Sequence, residues 1–264
     1  MINLQSKEFI GNSEIAKSAP SVFTSSPSNN VSKHYTHIPT SQVIDDMKTL
    51  GWGVIDAKEV KARKEVGFQK HLIVFRNPDI IIQGADTVYP QILLTNSHDG
   101  KNSFSFAVGL YRLVCENGLV ICDQKFEDLK IRHMGYNFEE LQEKIKGILE
   151  RLPLTIESIN TMKSIELNKD QILDFAQKSL ECRFNEKERE RIQVNYADLI
   201  TPIRKEDEGN DLWSVFNVIQ EKLIDGGFEY SSGVKRRKAR QVKNFNQDLK
   251  INRDLFKLAL EYSE

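Results

Sequence analysis

A stretch of alternating apolar and polar residues at positions 103–115 constrains the fold of this chain more than any other feature. The apolar residues at alternate positions are Phe104, Phe106, Val108 and Leu110, and Val114 continues the series after Arg112. This period is typical of a strand with one buried face. Arg112 falls on the same apolar face, so a helix is an alternative for this segment. The following Glu-Asn-Gly at 116–118 predicts a turn.

The rest of the chain predicts strands first and helices afterwards. Turn residues divide the region before position 100 into short apolar segments at 54–63, 71–76, 79–83 and 91–95. From Asn137 onward, apolar residues recur at helical spacing to the C-terminus. They predict a helix that stops before Pro153, a helix over 186–199, and helices that begin behind the caps Asn168 and Asn252. This order predicts an α+β fold, with an antiparallel meander backed by helices and a mainly helical C-terminal half.

Composition divides the chain into three regions. Residues 1–39 are rich in Ser, Asn, Thr and Pro and predict a flexible N-terminal arm. Residues 40–135 predict an antiparallel β-rich core with one N-terminal helix. Residues 136–264 predict a helical region that packs on this core.

Overall charge and hydropathy exclude some classes of protein. The formal net charge of −1 gives the chain no global attraction for polyanions, so any surface that binds nucleic acid must be local. No apolar run approaches the ~20 residues of a membrane span, and the N-terminus lacks a signal-peptide pattern. We therefore expect a cytoplasmic protein without membrane contact. An odd number of cysteines, three, predicts reduced thiols.

Two local clusters of cations are candidates for binding phosphates. The denser cluster lies in a predicted exposed, mobile loop over residues 226–243 and comprises Lys235, Arg236, Arg237, Lys238 and Arg240. The other lies on a predicted strand pair and comprises Lys58, Lys61, Arg63 and Lys64. Guanidinium and ammonium groups at such density favour contacts with a nucleic-acid backbone. The alternatives are a solvated linker for the first cluster and a charged hairpin edge for the second.

Polar residues inside the apolar region form a second candidate set: His98, Asp99, Arg112, Cys115, Asn117 and His133. Arg112 must pair with a buried carboxylate or face a cleft, because burying an unpaired charge is prohibitive. Two histidines and two cysteines, including Cys122, have the right types for zinc, but their spacing matches no compact zinc pattern. Phosphate-binding glycine loops are missing from the sequence. We therefore predict no metal, no cofactor and no enzymatic activity.

Four sequence blocks carry a family resemblance. They are HDG at 98–100, YRLVCENGL at 111–119, IRH at 131–133 and DLWSVFN at 211–217. They resemble the phage/plasmid-like protein family classed as domain of unknown function 932, over roughly residue 40 to the C-terminus. Members are typical of phages, prophages and conjugative elements, often beside genes for recombination or single-strand handling. The resemblance implies a role in a mobile element within a bacterial host and brings no established activity.

Three hypotheses follow for function. The first is a non-enzymatic protein that binds nucleic acid, with single-stranded DNA favoured, and assists annealing or recombination as a homo-oligomer. The second is an effector that binds a host defence or replication protein through its helical half and N-terminal arm. The third is an enzyme, which would need His98, Cys115 and His133 to converge in one cleft.

Overall fold

The computed structural model describes residues 9–33, 35–62, 66–80, 88–102, 104–112, 118–121, 130–131 and 137–263. The chain divides into two compact units, residues 1–150 and residues 151–264. The second unit therefore begins at residue 151 rather than at residue 136, because the helix Phe138–Ser164 belongs partly to the first unit.

The first unit is built on a six-stranded antiparallel sheet. Its strands are β1 (Gly53–Glu59), β2 (His71–Arg76), β3 (Val88–Asn96), β4 (Phe104–Arg112), β5 (Gly118–Ile121) and β6 (Lys130–Ile131). The first five are neighbours in chain order, while β6 pairs with β4. The predicted α+β class with an antiparallel meander is confirmed, and the alternating segment that begins near residue 103 is a strand rather than a helix.

Strand β2 shows that both faces of the sheet are covered. All six of its residues are buried, and consecutive side chains of a strand project to opposite faces. One face carries Ile73, Phe75, Ile92 and Leu94, each with no exposed surface, and the opposite face carries the buried residues Leu72, Val74 and Leu93.

The N-terminal segment packs against this sheet, whereas the sequence predicted a flexible arm. It contains helix α1 (Asn12–Ser18) and a 3₁₀ turn (Pro20–Phe23), and it leads into α2 (Thr40–Thr49). Its apolar residues Ile15 and Val22 have no exposed surface, and the amide of Ile10 donates a 2.8 Å hydrogen bond to the carbonyl of Val54 in β1. A few fully buried apolar residues, Ile15, Ala19 and Val22, thus suffice to hold this segment on the sheet.

The second unit combines helices with a small sheet. Its helices are the later part of α3 (Phe138–Ser164), then α4 (Lys169–Arg183), α5 (Glu186–Arg189), α6 (Tyr196–Ile200), α7 (Leu212–Asp225) and α8 (Phe245–Glu261). A three-stranded antiparallel sheet in the order β7-β8-β9 is formed by β7 (Ile192–Val194), β8 (Glu229–Ser232) and β9 (Lys235–Lys238).

Two details of the second unit differ from the sequence prediction. A helix was expected over 186–199, but its middle is β7, because Ile192 and Val194 pair with β8. Helix α3 was expected to end before Pro153, yet it continues through this proline. Among the described residues, no helix is long and apolar enough to cross a membrane.

Candidate nucleic-acid interface

Strand β9 carries four cations on consecutive residues at one end of the β7-β8-β9 sheet. It pairs with β8 from Glu229 opposite Lys238 to Ser232 opposite Lys235. The two strands are joined by Gly233 and Val234, and Gly233 has a φ of +60°, which glycine adopts without steric cost. The predicted basic loop is therefore the edge strand of a tight hairpin.

The cations of this hairpin point to solvent. The side chains of Lys235, Arg236, Arg237 and Lys238 are all exposed, and so is that of Arg240. Within the described part of the chain, no carboxylate forms an ion pair with any of these five cations. Like charges so close together repel one another, so an added polyanion would be attracted to this strand. We call these five residues the basic strand surface.

The base of the hairpin is held in place by backbone contacts. The amide of Gly227 donates to the carbonyl of Ala239 at 2.9 Å, and the amide of Ala239 donates to the carbonyl of Phe228 at 2.9 Å. The guanidinium of Arg183 donates to the carbonyls of Leu223 and Arg240. These bonds tie the basic strand surface to α4 and α7, so its cations have a fixed backbone.

The second predicted cluster is only partly described. Lys58 lies in β1 with an exposed side chain, and its Nζ is 2.9 Å from Oδ2 of Asp56. Lys61 is exposed in the loop after β1. Arg63 and Lys64 lie outside the described residues. Because Asp56 neutralises part of its charge, Lys58 contributes less positive potential than a residue of β9.

The family-motif residues begin in a tight turn between β3 and β4. Oδ1 of Asp99 accepts hydrogen bonds from Oγ of Ser97 (2.7 Å) and from the amide of Lys101 (3.0 Å), while Gly100 has a φ of +72°. Aspartate and glycine both favour such turns, and here they form the hairpin turn that joins β3 to β4. His98 itself has no exposed surface, which excludes direct contact with a ligand in this conformation.

The remaining motif residues are described in part or not at all. Arg112 is the last residue of β4 and pairs with Val88 of β3 along the backbone. Cys115, Asn117 and His133 lie outside the described residues, as does Cys122. The convergence that the enzyme hypothesis needs is therefore a prediction only.

Three histidines meet beneath this turn. The ring of His98 lies 4.6 Å from that of His37 and 5.3 Å from that of His71, measured between centroids. His37 belongs to the N-terminal segment, His71 to β2 and His98 to the turn after β3. In the described part of the chain, however, no three His, Cys, Asp or Glu side chains are arranged to hold a metal ion.

His71 is the centre of a buried polar network that fixes the N-terminal segment. Its Nδ1 lies 3.2 Å from the carbonyl of Gln69 and 2.9 Å from Oγ of Ser21, and its Nε2 lies 2.8 Å from Oγ1 of Thr40. A carbonyl can only accept, so Nδ1 carries the proton and Nε2 accepts from Thr40. Nδ2 of Asn96 in turn donates to Oγ1 of Thr40 at 3.0 Å.

Burial gives this network its chemical character. It lowers the pKa of His71 from 6.5 to about 4, so the ring is neutral at pH 7. Ser21, Thr40 and Asn96 have no exposed surface either. A hydroxyl beside a neutral imidazole could suggest a nucleophile, but no substrate can reach these atoms, and their role is structural.

Tyr35 adds a link between the N-terminal segment and the motif turn. Its hydroxyl donates to the carbonyl of Ser97 at 3.0 Å. Burial, followed by the charge of Asp99, raises the pKa of Tyr35 to about 12, so the phenol keeps its proton at physiological pH. The sequence prediction missed all of these contacts, because isolated Ser, Thr and Tyr residues in a polar segment give no pattern.

Comparison with known proteins places the chain in a family. Residues 27–256 match the domain of unknown function DUF932. The chain belongs to this family. Two relatives from Escherichia coli (strain K12), the UPF0380 proteins YfjQ and YafZ, are each 31% identical over 252 residues, which cover 93% of this chain and 89% of each relative. No solved structure matches.

Membership of DUF932 confirms the resemblance that the four sequence blocks indicated. The match also begins earlier than those blocks, at Pro27, and so includes part of the segment that packs on the sheet. Both the motif turn and the basic strand surface lie inside the matched range.

Proposed function

We propose that this DUF932 protein binds nucleic acid, with single-stranded DNA favoured, through the basic strand surface in the cytoplasm of a bacterial host. The exposure of four consecutive cations on β9, without a carboxylate partner among the described residues, is the observation that carries the proposal. The proposed activity is non-enzymatic and assists annealing or recombination.

Charge supports this choice of ligand. The whole chain has a net charge of −1, so the five cations of this surface form a local excess that solubility does not require. Same-face cations on a strand lie about 7 Å apart, since each residue advances about 3.4 Å. A nucleic-acid backbone offers a regular row of charges to such an array, and released counterions add to the affinity.

The experiment is a salt series of fluorescence-anisotropy titrations with single-stranded and duplex DNA. The variant Arg236→Ala/Arg237→Ala/Lys238→Ala should bind single strands with a slope of log affinity against log salt reduced by about 2, since each lost phosphate contact accounts for about 0.7. The matched control Lys17→Ala/Lys169→Ala/Lys257→Ala removes three exposed lysines elsewhere and should leave the slope unchanged. No binding at about 50 mM salt, or equal slopes in all three proteins, would refute the proposal.

Assistance of annealing predicts assembly of several copies. Sizing chromatography of the full chain should show a species larger than the monomer when single-stranded DNA is present. If only monomer elutes, with and without DNA, the annealing role fails, while simple binding stands or falls with the anisotropy series.

A groove in the second unit supports the alternative, an effector that binds a host defence or replication protein. The groove, of about 460 Å³, lies between α4, α6 and α7, and its apolar lining includes Leu173, which is 37% exposed. If this is the functional surface, Leu173→Asp should abolish capture of a defined host protein from lysate. The alanine variant of β9 should still capture the same protein, and the opposite pattern would dismiss the groove.

A further inference from the structure

The two faces of the β8-β9 hairpin differ in chemistry. Tyr230 lies directly opposite Arg237, and Ser232 lies opposite Lys235. Side chains of opposed residues in an antiparallel pair project to the same face, and so do residues two apart on one strand. Tyr230, Arg237 and Lys235 therefore share one face, which we call the aromatic face.

The other face of the hairpin has cations but no aromatic ring. There Arg236 lies opposite Ser231 and Lys238 lies opposite Glu229. This face can hold phosphates, although Glu229 opposes an anion at one end. Only the aromatic face combines cations with a π surface.

The ring of Tyr230 is supported from within and partly open to solvent. Its centroid lies 6.4 Å from that of Phe228, which has no exposed surface, and 5.9 Å from that of Phe184. Phe184 is partly exposed as well, at the C-terminal end of α4. The three rings contact one another and form an aromatic cluster on the same face of the hairpin as Arg237.

We propose that Tyr230, with Phe184 beside it, stacks against unpaired bases while Arg237 and Lys235 hold the phosphates of the same strand. This inference rests on the proposed function and names the form of its ligand. In a duplex the faces of the bases are covered by their neighbours, whereas a single strand can turn a base onto an aromatic ring. The aromatic face thus selects single-stranded over duplex nucleic acid, independently of base sequence.

The first test compares Tyr230→Leu with Tyr230→Phe. The ligands are oligothymidine of about 20 nucleotides, long enough for one site, and a duplex of the same length. Tyr230→Leu should weaken single-strand binding about 5- to 100-fold, the loss expected for one stacked base, and leave duplex affinity within about 2-fold. Tyr230→Phe keeps the ring and should bind like the parent.

Equal losses on both ligands, or no loss on either, would overturn the stacking role. The triple alanine variant of β9 separates the two proposals. If that variant loses binding and Tyr230→Leu keeps the parent's preference for single strands, only the stacking inference fails. If the triple variant binds like the parent, both fail.

A second measurement does not depend on how well Tyr230→Leu folds. Tyr230→Trp places an indole on the aromatic face, while the chain's own Trp52 and Trp213 are buried, at 2% and 3% exposure. Saturating oligothymidine should quench the added emission relative to the parent, and inorganic polyphosphate should not. Unchanged emission at saturation would refute base stacking at this position.

Discussion

Two polar segments of this chain, residues 9–39 and residues 226–243, differ in whether their side chains are buried. The sequence predicted that both would be exposed and without regular structure. The structure packs the first against the sheet of the first unit, with Ile15 and Val22 fully buried. It turns the second into an ordered hairpin whose four β9 side chains stay exposed.

The difference lies in the kind of polarity. Ser21, and Thr40 directly after this segment, have short uncharged side chains, so their hydroxyls can be buried when His71 and Asn96 form hydrogen bonds with them. The cations of β9 would need partner carboxylates to be buried, and burial of an unpaired charge costs far more than a hydrogen bond returns. Polar composition therefore does not predict disorder, whereas dense charge of one sign does predict exposure.

The largest expected effect is on the packing of the N-terminal segment. Ile15→Ala should lower the free energy of unfolding by about 2–5 kcal/mol, because it empties a fully buried site. Lys17→Ala, on the exposed side of the same helix, should change it by less than about 0.5 kcal/mol. Urea unfolding of both variants measures the two free energies. Equally small effects would support the flexible arm that the sequence predicted.

The next effect concerns the base of the hairpin. A Cβ at Gly226 would overlap the carbonyl of Ala239, and its φ is +80°. Gly226→Ala should therefore cost about 2–4 kcal/mol, from steric overlap and left-handed strain together. Gly233→Ala at the tip meets no atom within 4 Å and should cost only the strain, about 1–2 kcal/mol. Thermal unfolding that ranks the two equally would contradict the rigid base.

Lowering the pH should destabilise the packing of residues 9–39, which His71 holds in place, but not the β8-β9 hairpin. The folded pKa of His71 is about 4 against 6.5 in the unfolded chain, so unfolding takes up a proton between these values. Stability is unaffected above pH 6.5 and declines as pH falls toward 4, by about 1.4 kcal/mol per pH unit and up to about 3 kcal/mol in all.

The variant His71→Gln cannot titrate in this window. It should be less stable than the parent protein at pH 7. Between pH 6.5 and about 4.5, where His71 of the unfolded parent takes up a proton, the variant should lose less stability than the parent. Urea unfolding at three pH values compares the slopes. Parallel slopes would show that His71 does not control the acid response.

The smallest effect on stability should come from the basic strand surface. Arg236→Ala/Arg237→Ala/Lys238→Ala removes exposed side chains without carboxylate partners in the described part of the chain, so the free energy of unfolding should change by less than about 1 kcal/mol. Calorimetric Tm values check this. A larger loss would mean that these residues stabilise the second unit. The contrast between a packed segment at 9–39 and a solvated basic strand would then be wrong.

Local patterns in the sequence predicted much of the fold. The spacing of turn residues predicted β2, alternation predicted the strand now seen as β4, and Asn168 caps α4 as expected, with its side chain accepting from the amide of Gln171 at 3.0 Å. A helix was also expected to begin behind Asn252. It begins at Phe245 instead, because Asn252 is buried inside α8, where its side chain accepts from Gln220 of α7 at 2.8 Å. Contacts between distant residues decide such boundaries.

The candidate site was predictable in composition but not in form. Charge density singled out residues 235–240 without a structure. That they form a strand depends on pairing with β8, and β7 forms by pairing with the same strand. Neither pairing can be predicted from the local sequence alone, since both depend on tertiary contacts.

The order of synthesis gives the N-terminal segment a further property. Ser21 forms a hydrogen bond with a residue 50 positions later and Tyr35 with one 62 positions later, and Thr40, directly after the segment, with one 56 positions later. Contacts of such long range form slowly, and a chain that emerges from its N-terminus makes this segment before the strands that will hold it. Its many Ser and Asn side chains form hydrogen bonds with water until the strands have been synthesised. After folding, buried members of the same set, such as Ser21, form hydrogen bonds inside the first unit.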